Sequence, residues 1–390
     1  MMKITRLPFF KGLMPVVLGI SLTACQSEEV AAPPPTAVPA PEQAEPAPKP
    51  EVQVPAYTAP LTGLAVKKPD PARPVAVMIN NAPAARPQSG LAEADMIYEV
   101  LAEGGITRLV AIYQSYHGDA TIGPVRSIRP YLITLGETVN GLLVHAGGST
   151  DAYAILQNGN KEHLDEITNA SAPFWRDSSR KAPHNLYTNE QKLRKAAAGN
   201  GYTEQVTLPV YPFLPAEDDS SKDVVSTEHT TGEAANSTAA DNSPASASDA
   251  EQVNSIQLKY LLDSYTVGYT YDSASGLYTR SMNNKPHIDL NTKQPLTAAN
   301  VIVIGADYKV LDDVGRLSLN LDAGGKALMF QQGRMIRGEW SRTKGDVIRF
   351  RSDGQETPLV PGVTYYNIVP NSPSFDSHLT IDGKKMENNG

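Results

Sequence analysis

The side chains best suited to binding or catalysis lie in loops of the first half of the chain. The motif His145-Ala-Gly-Gly-Ser149 joins a short apolar strand to a helix predicted over residues 150–157, and residues 175–185 form a polar segment without regular periodicity. Ordered loops on a rigid scaffold commonly provide functional groups. The candidate ligand-binding residues from these and two neighbouring loops are Arg86, Arg126, Arg129, His145, Gly147, Gly148, Ser149, Arg176, Asp177, Arg180, His184 and Asn185.

Two predicted helix starts in this region favour a negatively charged ligand. Arg126 and Arg129 precede a helix predicted from Pro130, which suits a first helical turn, to about residue 138. Gly147 and Gly148 precede the second helix. Free amide groups at a helix N-terminus attract anions, and arginine forks suit phosphate or carboxylate groups. The residues therefore indicate either an anion site or an internal network of arginines and carboxylates that holds the loops in place.

Catalysis and metal binding are alternative interpretations of the same residues. Ser149 could act as a nucleophile with His145 or His184 as its base, but the Gly-x-Ser-x-Gly elbow is missing and helix capping explains the serine equally well. His145, His184 and Asp177 could bind a metal ion, but their spacing matches no metal-binding motif. We therefore predict no catalytic residue, no metal and no cofactor. The alternative function is an envelope hydrolase or transferase that uses His145 or His184 as a general base.

Buried strands, one hairpin and a third helix are predicted to position these loops. Residues 73–80 form an apolar strand. The runs 96–103 and 106–114 flank two consecutive glycines, which is the pattern of a β-hairpin. A capping box over residues 188–191 indicates the start of a helix that ends near residue 198.

The hairpin also predicts an ion pair. If Glu103 pairs with Ile106, then Glu99, Glu103 and Arg108 share one face of the hairpin. Glu103 would then lie diagonally across from Arg108, within reach of a cross-strand ion pair. Such a pair either stabilises the hairpin slightly at the surface or makes Glu99 and Glu103 part of a site wall.

Residues 1–24 match a secretory signal peptide, because three basic residues precede an apolar core, 13–22, that is too short to span a bilayer. The core ends in Leu22-Thr-Ala-Cys25, which matches the bacterial lipobox. We expect cleavage before Cys25 and lipidation of its thiol and new amino group. The protein would then be extracytoplasmic and anchored to the bacterial cell membrane. Cys25 is the only cysteine, so we expect neither disulfides nor cysteine catalysis.

Two segments contain too few large apolar residues to form a core. Residues 25–60 are rich in Pro, Ala and Glu and are predicted to be a disordered tether. Residues 216–255 are predicted to be a disordered insertion with nine acidic residues and one basic residue, a net charge of −8 that equals the formal net charge of the whole chain. The folded regions are therefore close to neutral, which argues against a nucleic-acid partner.

The remaining chain suits two folded regions. Residues 61–215 have a mixed α/β pattern, residues 256–372 are mostly β, and residues 373–390 form a predicted flexible tail. His287 and Asp289 lie in a loop of the second region that could meet the site of the first. The predicted fold class is α+β, with packed β-sheets and helices on one side.

The chain resembles a known family across nearly all of residues 60–370. The motifs, specific when taken together, include Pro74-Val-Ala-Val-Met-Ile-Asn-Asn81, Arg86-Pro-Gln-Ser-Gly90, Tyr98-Glu-Val100, Glu103-Gly-Gly-Ile-Thr-Arg108, Ile122-Gly-Pro-Val-Arg-Ser127, Ala182-Pro-His-Asn-Leu-Tyr187, Tyr265-Thr-Val-Gly-Tyr-Thr-Tyr-Asp272 and Pro286-His-Ile-Asp289. They are similar to those of the YerB-like family of bacterial lipoproteins. The resemblance implies lipidation, an N-terminal and a C-terminal conserved region, and packed sheets with helices. It implies no established activity and no agreed catalytic residues.

The sequence favours a lipid-anchored, extracytoplasmic binding or scaffold protein over an enzyme. Its membrane contact would be the lipid at Cys25, and its partner would be an anionic cell-wall polymer or an envelope protein. The anionic group would be held by Arg126, Arg129, His145, Arg176, Arg180 and His184. The rival functions are the hydrolase or transferase and a purely structural role in which the arginines brace loops.

Overall fold

A central sheet built from both halves of the chain organises the computed structural model. The structure describes residues 57–215 and 251–387, which belong to one compact unit. The predicted signal peptide, Cys25, the tether up to residue 56 and residues 216–250 of the predicted insertion lie outside the described residues.

Residues 57–215 form three α-helices and nine strands. The helices are α1 (Pro130–Glu137), α2 (Thr150–Asn158) and α3 (Glu190–Gly199). Short 3-10 helices span Pro83–Ala85, Leu91–Glu93 and Glu103–Gly105. The strands are β1 (Tyr57–Thr58), β2 (Ala65–Val66), β3 (Val75–Asn80), β4 (Met96–Leu101), β5 (Thr107–Tyr113), β6 (Leu142–His145), β7 (His163–Asp165), β8 (Trp175–Arg176) and β9 (Leu186–Tyr187).

Residues 251–387 add fifteen strands and a 3-10 helix, Asp376–His378. The strands are β10 (Glu251–Gln252), β11 (Ser255–Lys259), β12 (Thr266–Asp272), β13 (Leu277–Met282), β14 (Lys285–Pro286), β15 (Thr297–Ala298), β16 (Asn300–Val310), β17 (Leu317–Asn320), β18 (Gly325–Gln331), β19 (Arg334–Ser341), β20 (Arg349–Ser352), β21 (Gln355–Glu356), β22 (Thr364–Pro370), β23 (Leu379–Ile381) and β24 (Lys384–Lys385).

The three helices form where the sequence predicts them, and side chains cap two of their N-termini. Ser149 Oγ accepts a hydrogen bond from the Ala152 N–H at 3.2 Å at the start of α2. For α3 the capping residue is Asn189, one position after the start of the predicted capping box. Thr188 does not cap the helix, because its Oγ1 donates instead to the Pro173 carbonyl at 3.0 Å.

The main sheet has 13 strands within the described residues. Its path is β21-β20-β19-β18-β16-β22-β4-β5-β3-β6-β7, with β10 beside β19 and β17 beside β16. Four strand pairs are parallel: β3–β6, β6–β7, β4–β22 and β16–β22. Since β5 lies between β3 and β4 and is antiparallel to both, all the strands of these four pairs run in the same direction. The carboxyl ends of β3, β4, β6 and β7 therefore meet at one sheet edge, which is the edge where open α/β sheets usually bind ligands.

Two layers cover the main sheet. Tyr98 and Glu99 are neighbours in β4, so their side chains point to opposite faces. Tyr98 Oη lies 3.1 Å from Thr138 Oγ1, at the end of α1. Glu99 faces a second sheet with the order β14-β13-β12-β11-β23-β24 and β15 beside β13. The predicted α+β class, with packed sheets, a mixed first region and a mostly β second region, is confirmed.

The β4–β5 hairpin forms as predicted, but in a different register. Leu101 pairs with Thr107, which makes the predicted pairing of Glu103 with Ile106 wrong by one residue. The reason is that the two glycines lie inside a wider 3-10 turn at φ 73° and 74°. A shift of one residue exchanges the faces, so Arg108 and Glu99 lie on opposite faces. The predicted Glu103–Arg108 ion pair still forms, with 3.8 Å between Oε2 and Nη2.

Two predicted boundaries differ from the structure. The predicted flexible tail, residues 373–390, contains two paired strands, because β23 pairs with β11 and β24 pairs with β23. Leu379 in β23 is buried, which gives this segment a place in the core. The predicted insertion, 216–255, likewise includes β10 and the start of β11, and Val253 between them is fully buried.

Candidate functional site at the carboxyl edge of the main sheet

The loop before α1 crosses the sheet edge between β3 and β6. The Arg126 N–H donates to the Met78 carbonyl at 2.7 Å, and the Arg126 carbonyl accepts from the Ala146 N–H at 3.1 Å. Asn80, the last residue of β3, pairs with Arg108 in β5. These contacts place Arg126 at the end of β3 and β6, where Arg108 also lies.

Two further arginines share one carboxylate at this edge. Glu103 forms an ion pair with Arg129 Nε and lies 3.8 Å from Arg108 Nη2, while Arg108 Nη1 donates to the Ser127 carbonyl at 2.6 Å. Burial lowers the pKa of Arg108 to about 10, and the charges of Arg129 and Arg126 act in the same direction. Burial alone would raise the pKa of Glu103, but the Arg129 hydrogen bond and the nearby charges lower it below its usual value.

Arg126 differs from Arg108 and Arg129 in having no partner among the described residues. Within residues 57–215 and 251–387, its half-buried guanidinium makes no hydrogen bond and no ion pair. Burial and the charge of Arg129 lower the pKa of Arg126, and Glu103 offsets only part of that effect. A nearby opposite charge stabilises the ionised form of such a group. The geometry therefore favours a negatively charged group beside Arg126.

His184 adds a hydrogen-bond donor to the same place. Asn80 Oδ1 accepts from the Ala82 N–H at 3.0 Å, which orients the amide so that Asn80 Nδ2 donates to His184 Nδ1 at 2.8 Å. The neutral ring therefore has its proton on Nε2. Burial and the charges of Arg126 and Arg180 lower the pKa of His184, which favours this neutral form. Within the described residues Nε2–H has no partner, so it can donate to a ligand.

Arg180 and Arg86 hold the loop that follows β3. Arg180 Nη1 donates to the Ala85 carbonyl at 2.6 Å, and Arg180 Nη2 donates to the Pro87 carbonyl at 2.7 Å. The guanidinium of Arg86 lies over the Tyr265 ring, 4.9 Å from its centroid. Arg180 therefore contributes charge at the site while its donors bind the backbone.

Arg176, Asp177 and Asn185 connect the polar 175–187 loop to itself and to a neighbouring carboxylate. Arg176 Nη1 donates to Asn185 Oδ1 at 3.2 Å, and Arg176 Nη2 lies 3.2 Å from Glu166 Oε1. Asn185 Nδ2 donates to the carbonyls of Asp177 and Arg180 at 3.0 and 3.2 Å. These side chains brace the loop that positions His184.

His145 and the glycines after it lie in a buried cluster beneath the site. His145 has no exposed surface, and its Nδ1 is 2.9 Å from the Gly147 carbonyl and 3.6 Å from Asp165 Oδ1. Burial lowers the pKa of His145 to about 4, although Asp165 offsets part of the effect. Gly147 has φ 75° and donates its N–H to Asp165 Oδ1 at 2.7 Å, a conformation that favours glycine. Gly148 bridges Ile128 and precedes the cap Ser149.

The proposed metal ligands have separate partners. Among the residues that the structure describes, no group of three or more His, Cys, Asp or Glu is arranged to hold a metal ion. His145 lies against Asp165, His184 is held by Asn80, and Asp177 Oδ1 accepts from the Ser179 N–H at 2.8 Å. The described part of the chain also has no helix long and apolar enough to span a membrane.

Sequence reasoning missed a buried polar network between the two sheets. Arg280 of β13 and Glu99 of β4 form a fully buried ion pair, with 2.5 Å between Nη2 and Oε2. Arg280 Nε donates to His287 Nδ1 at 3.0 Å, so His287 donates from Nε2 to Gln88 Oε1 at 2.6 Å. The second Glu99 oxygen accepts from Thr107 Oγ1 at 2.6 Å. The network thus joins the first and second regions of the chain.

Two signals in the sequence pointed toward this network. Glu99 interrupts the apolar run of β4, and Arg280 occupies an inward position in the alternating pattern of β13. The loop of His287 and Asp289 does meet the first region, since Asp289 Oδ2 also accepts from the Ala92 N–H at 3.1 Å. Local periodicity does not identify such partners, because they are almost 200 residues apart along the chain.

Together, the fold and the sheet edge define a two-part α+β protein with a cationic loop cluster. The chain belongs to the DUF3048 family: the model described as "Protein of unknown function (DUF3048) N-terminal domain" matches residues 61–203, and the corresponding C-terminal domain model matches residues 256–366. This family has two parts, as the motif resemblance implied.

A curated relative and a solved structure agree with that assignment. The chain is 36% identical over 315 residues to "Putative lipoprotein YerB" of Bacillus subtilis (strain 168), covering 80% of this chain and 86% of that protein. It is also similar to the crystal structure of the YerB protein from Bacillus subtilis, with a TM-score of 0.70 and 34% identity over 84% of this chain and 99% of that chain. The resemblance to the YerB-like family is therefore confirmed, and the chain is a lipoprotein-like protein.

Proposed function

We propose that this protein is a lipid-anchored, extracytoplasmic binding protein that holds an anionic group of a cell-wall polymer or envelope partner at the carboxyl edge of its main sheet. The lipobox at Cys25 and the lipoprotein name of the Bacillus subtilis relative support the anchor. Basic loops with unpaired donors support the anion site.

The proposal depends on the guanidinium of Arg126, which has no partner in residues 57–215 and 251–387. Four arginines lie at this edge, whereas the carboxylates that act on them are Glu103 and Asp177; the arginines are Arg108, Arg126, Arg129 and Arg180. Asp177 is partly exposed, so water weakens its effect. An excess of arginine forks over carboxylates suits phosphate or carboxylate recognition.

The state of His184 supports binding rather than proton abstraction. Its Nδ1 accepts from Asn80, and its proton lies on Nε2. A ring in this tautomer donates to an anion without first changing its protonation state, whereas a general base needs a free acceptor nitrogen. His145 is fully buried in the scaffold and contributes no exposed acceptor.

The test is calorimetric titration of the full mature chain with orthophosphate. We expect Arg126→Met to weaken binding about tenfold or more, because a charge-assisted hydrogen bond contributes roughly 1.5–3 kcal/mol. The matched control is Arg334→Met, which removes an exposed arginine of β19, a strand that is remote from β3 and β6 in the order of the main sheet. The control should bind as the wild type does. Equal affinity of the Arg126→Met variant and the wild type would contradict the proposal.

A further inference from the structure

A second cationic cavity lies beside the loop after β3. Its volume is ≈ 330 Å³, and it is lined by Arg86 and Pro87 from the first region and by residues between Met282 and Ile288 from the second. Lys285 and His287 belong to this lining, and none of the described lining residues carries a carboxylate.

Both cations of the cavity lack an ionic partner. Arg86 Nε donates to the Asn81 carbonyl at 3.2 Å, but Arg86 Nη2 is buried and has no hydrogen-bond partner among the described residues. The exposed Lys285 forms no ion pair within residues 57–215 and 251–387. His287 stays neutral, because its Nδ1 accepts from Arg280 and its Nε2–H donates to Gln88. The charge of the cavity is therefore positive.

Residues 80–87 connect this cavity with Arg126 and His184. Asn80 holds His184, and the carbonyl of the next residue, Asn81, accepts from Arg86. Arg180 donates to the carbonyls on both sides of Arg86, and its charge acts together with that of Arg126 on His184. Arg180 therefore connects the loop that carries Arg86 with His184, the ring on which the charge of Arg126 also acts.

We propose that the Arg86–Lys285 cavity is a second anion subsite for the same ligand, which makes that ligand a linear polyanion with at least two anionic groups. Arg126 and His184 hold one group, and Arg86 and Lys285 hold another. This inference rests on the proposed function. Two linked contacts bind far more tightly than either contact alone, since the second contact forms at a high effective concentration.

The test compares orthophosphate with linear inorganic polyphosphate, each titrated into the full mature chain. We expect the wild type to bind polyphosphate roughly 100-fold more tightly than orthophosphate. Lys285→Met should lower the polyphosphate affinity about tenfold and leave the Arg126-dependent binding of orthophosphate unchanged. The matched control is Lys384→Met, in β24 at the other end of the same sheet, which should change neither affinity.

Arg86→Met should reproduce the effect of Lys285→Met. Because Arg86 stacks on Tyr265, the lysine variant tests the cavity without disturbing that contact. Equal polyphosphate affinities of both variants and the wild type, with orthophosphate still bound through Arg126, would overturn the second subsite alone. If orthophosphate binding did not depend on Arg126, the proposed function itself would be overturned.

Discussion

The sheet edge and the buried network between the two sheets use arginine in opposite ways. Arg280 is fully buried, pairs with Glu99 at 2.5 Å and donates to Tyr269 and His287. Arg126 is half-buried and has no partner among the described residues. A buried charge requires complete pairing, whereas a charge that water still reaches can remain unpaired at little cost. The comparison indicates that Arg280 stabilises the fold and that Arg126 is available to a ligand.

The largest expected effect comes from breaking the buried pair. Arg280→Met leaves Glu99 fully buried and without its ionic partner, so we expect the free energy of unfolding to fall by about 3–5 kcal/mol. Although burial lowers the pKa of Arg280, Glu99 and the neighbouring tyrosines raise it on balance, in agreement with a strong pair. Urea unfolding of the full chain measures the change.

A double variant separates the pair from the packing around it. Glu99→Leu combined with Arg280→Met removes both charges, so it should recover a large part of the lost stability. If Arg280→Met alone changed the urea midpoint by no more than a surface substitution does, the assignment of Arg280 to stability would be wrong.

A smaller effect is expected from pH, through the buried His145 beneath the edge. Burial lowers its folded pKa to about 4 from a usual value of 6.5. Between those values the unfolded chain binds a proton that the folded chain excludes. The contribution of His145 to the free energy of unfolding is therefore fully present above pH 6.5 and is lost as pH falls toward 4. The loss should be a few kcal/mol, at about 1.4 kcal/mol per pKa unit.

Urea unfolding at several pH values between about 7.5 and 4.5 tests this prediction. His145→Gln should make the free energy of unfolding fall less steeply as pH decreases. Part of the slope should remain, because burial and the nearby arginines also hold the pKa of His287 well below its usual value. His184→Gln is the matched comparison and should flatten the decline less, because that ring is only partly buried at the loop edge. An unchanged slope in the His145→Gln variant would show that His145 is not the group that titrates.

The smallest expected effect on stability is that of replacing Arg126, the partly buried arginine at the sheet edge. Arg126→Met removes no hydrogen bond or ion pair of the described residues, and it relieves repulsion from Arg129. We therefore expect a change in unfolding free energy within about 0.5 kcal/mol, together with the loss of anion binding described above. A marked fall in melting temperature would instead assign Arg126 to loop bracing.

The candidate site shows how far local patterns extend. The helix starts at Pro130 and Thr150 lie where the sequence predicts them, and the cap at Ser149 is present. The sequence does not distinguish Arg126, which is unpaired within the described part of the chain, from Arg129 and Arg180, which bind Glu103 and backbone carbonyls. That distinction depends on which chain segments cross the sheet edge, and periodicity has no information on such crossings.

The sequence by itself determined the local features of this protein: the helix starts, the hairpin at Gly104-Gly105, the mostly β second region and the family to which the chain belongs. Each of these depends on side-chain periodicity or turn chemistry over a few residues. Only the tertiary structure decided the hairpin register, the strand at Leu379–Ile381 and the pairing of Glu99 with Arg280. These depend on contacts between distant segments, where the degree of burial selects which charges must be paired.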